Sequence, residues 1–99
     1  LVQSYTSGRI PIQHADLYRL SSRGEVEDLG LRELADMGSV VVVEWGDVAT
    51  DVLGDALTVH LSHNDDADDE RDITISVSGH GWDSRWDQLA TAVRTWSVN

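Results

Sequence analysis

The 99-residue sequence contains no cysteine and no lysine. Without cysteine it forms no disulfide and offers no thiolate to a metal. All seven basic residues are arginine. A phosphate-binding loop of the form G-x-x-x-x-G-K-S/T needs a lysine to reach the β- and γ-phosphates, so none lies within these residues. No apolar run approaches the roughly 20 residues of a membrane-spanning helix, and nothing reads as a signal peptide; a cytoplasmic location is expected. Basic charge is scarce altogether, with 18 acids against 7 bases and a formal net charge of -11. Such a surface repels phosphate backbones, so strong direct nucleic-acid binding is not expected. The length allows one small domain, expected to span residues 1–99. An apolar share of 40% supports a modest core and marginal stability. The chain opens on Leu1-Val2-Gln3-Ser4-Tyr5 rather than on methionine. That opening reads as the inside of a strand, and the chain is expected to be the C-terminal portion of a longer one.

What is present is organised around Pro11 to Leu20, P-I-Q-H-A-D-L-Y-R-L. Apolar residues lead in and polar ones lead out, as in a strand whose C-terminal end opens into a site. A strand from Pro11 to about Arg19, with the proline at its first position, would place Ile12, His14, Asp16 and Tyr18 on one face. Val40 to Val43 is a continuous β-branched run that ends on Glu44 and Trp45. Its continuity predicts a strand covered on both faces, hence a parallel or mixed sheet with helices. Two such strands would bring Asp16 and Glu44 to one sheet edge.

Around these strands the pattern is α/β. Leu1–Tyr5 and the strand after Pro11 form a hairpin about Gly8. Ser22 and Glu25 have capping-box spacing, Gly30 ends a first helix, and Leu31–Met37 makes a second that stops at Gly38. A helical turn is expected within Val48–Leu53. Ala56–Ser62 and Asp72–Ser78 alternate with period two and read as a hairpin with an acidic tip. Asp83 or Ser84 should cap a last helix, with Trp86, Leu89, Val93 and Trp96 as its apolar stripe and Trp82 at its entrance.

Several constellations carry chemistry, each beside a plainer alternative. Asp16 and Glu44 are hard oxygen donors suited to Mg²⁺ in phosphoryl transfer, or simply solvated acids at strand ends. His14 is placed to bridge to Asp16 or to a phosphate, or is a satisfied half-buried histidine. Arg19 can clamp an anion or pair with Glu27. Trp45 can lie beside a nucleotide base or seal the core. The run Asn64–Asp72 lacks the glycine and glutamate of an EF-type calcium loop and reads as a solvated hairpin tip. His60 and His63 fall at odd spacing on a strand, so with His80 they do not make a zinc set.

Three ordered motifs then resemble a known family. H-A-D-L-Y-R-L at 14–20, E-V-E-D-L-G-L at 25–31 and V-V-V-E-W-G-D at 41–47 look like the TsaE family, P-loop ATPases of bacterial tRNA threonylcarbamoyladenosine biosynthesis. The resemblance implies a P-loop NTPase-like mixed sheet with flanking helices, truncated at its N-terminus. It implies that Asp16 is the catalytic acid near the γ-phosphate and attacking water. It implies that Glu44 coordinates Mg²⁺, and that His14, Tyr18, Arg19 and Trp45 bind the nucleotide, ATP. TsaB- and TsaD-like proteins are the implied partners. The family's phosphate loop precedes the position matching Leu1, so this chain alone is expected to be inactive. Gly46 stands where the family has proline, and Asp47 where it has glutamate. The alternative from another class is a non-catalytic interaction module, docking on TsaB/TsaD-like partners through strand edges or the tryptophan helix.

Overall fold

The computed structural model describes residues 2–20, 22–46 and 50–97. The backbone forms two compact units, residues 1–54 and 55–99.

The first unit contains strands β1 (Val2–Tyr5), β2 (Ile12–Asp16) and β3 (Val40–Glu44), with helices α1 (Arg23–Glu27), α2 (Leu31–Asp36) and α3 (Thr50–Leu53). The sheet runs β1-β2-β3. The expected hairpin is present, since β1 pairs antiparallel with β2, Val2 opposite Ala15 and Tyr5 opposite Ile12. β2 pairs parallel with β3, from Ile12–Val40 to Asp16–Glu44. The sheet is therefore mixed, as read from the sequence. Helices α1 and α2 form the crossover that two parallel neighbours require.

Local chemistry explains the crossover. The Ser22 hydroxyl caps α1 by accepting the Glu25 N–H at 3.2 Å. Gly30 adopts φ 67° between the two helices, and Gly38 φ 99° after the second, conformations that glycine takes without a Cβ penalty. Val26 and Leu31 thereby face the sheet and bury with Ala15 and Leu17. Val2, Leu20, Leu29, Leu34, Val41, Val43, Val52 and Leu53 pack around this core.

Two expectations for this unit need correction. β2 stops at Asp16 rather than Arg19. Leu17 drops into the core with no exposed surface, and its N–H still donates to the Glu44 carbonyl at 3.0 Å. Burial of Leu17 turns the chain, so Tyr18 does not continue the strand face of His14 and Asp16. The valine run is also not covered on both faces. Val41 and Val43 pack on the core, whereas Val40 and Val42 are each 47% exposed. The buried face of β2 carries Gln13 and Ala15. The Gln13 side chain is satisfied by the Ser4 hydroxyl, which donates to it, and by the Ser39 hydroxyl, which accepts at 3.5 Å.

The second unit contains the hairpin β4 (Ala56–His63) and β5 (Arg71–Ser78), then helix α4 (Trp86–Ala92) between 3₁₀ turns at Asp83–Arg85 and Arg94–Trp96. The hairpin register runs from Ala56–Ser78 to His63–Arg71, as the alternation predicts. Its acidic tip folds on itself: the Asn64 side chain accepts the Asp66 N–H at 2.8 Å, and the Arg71 guanidinium donates to the Glu70 carbonyl at 2.8 Å. Neither Asp83 nor Ser84 caps α4; the residue before it is Arg85, with no side-chain cap. Asp83 instead sits 2.9 Å from His80 Nδ1. Trp82 does pack at the entrance, under the Arg85 guanidinium 3.8 Å above its ring. The expected stripe does not hold. Leu89 and Val93 are half-buried, but Trp96 is 78% exposed, because the backbone tightens to 3₁₀ geometry after Val93 and rotates the last positions away.

Candidate functional site at the C-terminal edge of strands β2 and β3

Parallel pairing places the ends of β2 and β3 side by side, and the register makes Asp16 and Glu44 direct neighbours. Because register partners share a sheet face, His14, Asp16, Val42 and Glu44 lie on one side. That side is the one opposite the core. The sequence expectation that two strand-borne acids meet at one edge is thus met in this sheet.

Each acid is held differently. Asp16 Oδ1 accepts the Tyr18 N–H at 3.0 Å, an Asx-type turn that fixes the short side chain locally. Glu44 reaches back across the strands, and its Oε2 lies 2.9 Å from His14 Nε2. His14 therefore bridges to Glu44 rather than to Asp16. The second carboxylate oxygen of each acid points to no hydrogen-bond donor among the described residues. These two oxygens are hard donors at a solvent-facing edge. Among the described residues no set of three or more His, Asp or Glu is grouped to hold a metal. One or two carboxylates suffice for Mg²⁺, which keeps waters and takes phosphate oxygens for its remaining positions. The donor set fits that ion.

Aromatic rings border the acids. Trp45 follows Glu44 with φ 61°, a left-handed backbone that costs a non-glycine residue about 1–2 kcal/mol. It is 59% exposed and Tyr18 is 68% exposed. Their rings stand 5.1 Å apart at 56°, in the range of favourable tilted aromatic pairs. Trp45 therefore does not seal the core. Gly46 behind it is close-packed: a Cβ there would meet Val43 at 3.3 Å and Leu53 at 3.4 Å. Asp47 lies outside the described residues. Arg19 is exposed and takes part in none of the ion pairs among the described residues, Glu27 included.

The structure thus brings His14, Asp16, Tyr18, Glu44 and Trp45 together through strand register and one aromatic contact, and leaves Arg19 in the following turn. Sequence reasoning missed the His14–Glu44 contact, which only parallel register reveals. It also missed a cleft of about 560 Å³ among α1, α2 and α3, lined in part by Arg23, Val26, Arg32 and Asp51. Arg23 and Asp51 bridge it at 2.8 Å. Its mixed charges and apolar floor match an inter-helix groove rather than a reaction centre, and it contains none of the residues above.

Comparison with known proteins gives a consistent result. A family model described as "Threonylcarbamoyl adenosine biosynthesis protein TsaE" matches residues 1–73. Proteins named tRNA threonylcarbamoyladenosine biosynthesis protein TsaE are similar over much of the chain. The one from Bacillus subtilis is 31% identical over 91 residues, covering 91% of this chain and 55% of the relative. The Haemophilus influenzae protein is 34% identical over 68% of this chain and 43% of its own length. The Streptomyces coelicolor protein is 37% identical over 73% and 51%. The chain spans about half the length of these relatives.

Proposed function

The chain belongs to the TsaE family, and from that premise we propose that it serves tRNA N6-threonylcarbamoyladenosine biosynthesis as part of a P-loop-like, Mg²⁺-dependent ATPase. The observation that carries this reading is the register pairing of Asp16 with Glu44 at the ends of two parallel strands. Glu44 would hold the cation, and Asp16 would orient the attacking water by accepting a hydrogen bond from it. Mg²⁺, when bound, would supply charge neutralisation at the phosphates. Trp45 and Tyr18 present rings to the nucleotide, and Arg19 offers a guanidinium to its anionic groups. His14 stands beside Glu44. The proposed setting is the cytoplasm, and the proposed partners are TsaB- and TsaD-like proteins.

The 99 residues hold no lysine, so the phosphate cradle of a P-loop is not among them. Alone, the chain should hold ATP weakly and turn it over slowly. The test compares Mg²⁺-ATP binding by calorimetry for residues 1–99 and for a chimera carrying the N-terminal portion of the Bacillus subtilis relative ahead of residue 1. Tight binding is expected only for the chimera, with hydrolysis lost in its Asp16→Asn and Glu44→Gln forms. Equal binding by both, or hydrolysis that survives both substitutions, would overturn the proposal.

A second reading has its own observation. Trp96 and the hairpin residues Leu61 and Ile73 are well exposed, as on an interaction module that docks on TsaB/TsaD-like partners without catalysis. Partner capture that is unaffected by Glu44→Gln and independent of nucleotide favours this reading.

A further inference from the structure

Glu44 and Asp16 are paired in register, yet only Glu44 is tied to a side chain on the neighbouring strand. We propose that His14 is a positioning residue for the cation-binding carboxylate: it fixes Glu44 so that Oε1, and not Oε2, faces the cation. This inference rests on the reading of Glu44 as a cation ligand given above.

The geometry carries it in three steps. β2 is the central strand, so His14 is flanked by Gln3 on β1 and Val42 on β3. Its ring is consequently more confined than the Glu44 side chain, the two being 35% and 54% exposed. Second, His14 lies one pleat behind Glu44 on the same face, a diagonal reached by a glutamate but not by the shorter Asp16 on its own strand. Third, the contact uses one ring nitrogen, Nε2, and one carboxylate oxygen, Oε2, at 2.9 Å. A glutamate at an exposed strand end otherwise samples many rotamers; one hydrogen bond from a confined donor selects among them. Ligating carboxylates commonly depend on such outer hydrogen bonds, whose loss weakens metal affinity by about 10–100-fold.

The donor must stand at the Nε2 position, which makes the test specific. Mn²⁺ is titrated into the full chain, and its uptake at this edge is read by paramagnetic broadening of the Leu17 and Trp45 amide signals in NMR. The same titration of an Asp65→Asn, Asp66→Asn form separates binding at the acidic hairpin tip from binding at this edge. The wild-type chain should broaden at Leu17 and Trp45. His14→Ala and His14→Asn should need about 10-fold more Mn²⁺, because neither places a donor where Nε2 stands. His14→Gln carries its amide nitrogen near that position and should recover most of the affinity. A direct readout accompanies the titration: the long-range ¹H–¹⁵N spectrum of His14 should show a proton on Nε2 that shifts in Glu44→Gln and not in Asp16→Asn.

If all three His14 variants titrate like wild type while Glu44→Gln loses the broadening, the positioning role is wrong and the cation-site reading survives. If Glu44→Gln itself leaves the broadening unchanged, or wild type shows none, the cation-site reading falls and takes the inference with it. Equal weakening by alanine, asparagine and glutamine also overturns the inference, since a merely structural histidine would behave that way. Unchanged circular dichroism across the set confirms that folded chains are compared.

Discussion

Single residues set the conformation at two glycines in opposite ways. Gly79 has φ 74°, and a Cβ there would collide with the Asp55 carboxylate. That carboxylate accepts the N–H groups of His80 at 3.3 Å and Gly81 at 3.1 Å, so it cannot withdraw without leaving donors unpaired. Gly79→Ala should therefore destabilise the chain by more than about 2 kcal/mol, combining left-handed strain with the collision. Gly24 lies within α1, and its added Cβ would meet nothing within 4 Å. Gly24→Ala should stabilise by up to about 1 kcal/mol. Urea denaturation of the two variants checks both signs. Neither difference is visible in the sequence, where both are glycines beside polar residues. The left-handed backbone of Trp45 is equally invisible, since tryptophan is not a residue from which a positive φ is expected.

At the level of elements, much was legible. The capping spacing of Ser22 and Glu25, the stops at Gly30 and Gly38, and the period-two hairpin of residues 56–78 all correspond to observed elements, because each is encoded by neighbours in sequence. What was not legible depends on tertiary placement. In β2 the apolar Ile12 faces outward and the polar Gln13 is buried, its amide answered by serines from β1 and from the segment before β3. The four valines suggest double burial, but one face of β3 stays exposed. The neighbourhood of Asp16 and Glu44 followed only as an expectation from two apolar strands that each end on an acid; the parallel register supplies it. Leu17 ends β2 by entering the core. Leu17→Ala should cost about 2–5 kcal/mol and should also loosen the turn that holds Asp16. A lowered denaturation midpoint together with a shifted Tyr18 amide resonance would report both effects.

For the whole molecule, charge and core size oppose each other. Four apolar residues are buried among those described, Ala15, Leu17, Val26 and Leu31, against a formal charge of -11. Hydrophobic burial of this extent supports only marginal stability, and carboxylate repulsion subtracts from it. Salt screens that repulsion over about 10 Å at 0.1 M. The melting temperature should rise as NaCl is increased from about 0.02 to 0.5 M, by several degrees for a chain of this size. A melting point that falls with salt would show that attractive ion pairs such as Arg23–Asp51 outweigh the repulsion. No described helix is long and apolar enough to cross a membrane.

The pairing of Trp45 with Tyr18 also gives this edge an optical signature. A solvent-facing indole emits at longer wavelength than a covered one, and a phenol 5.1 Å away transfers its excitation to it. Whatever settles over the two acids must change the surroundings of that indole. Replacing Trp45 by phenylalanine would subtract its emission from that of Trp82, Trp86 and Trp96, so the chain carries a built-in dye at the place where occupancy matters.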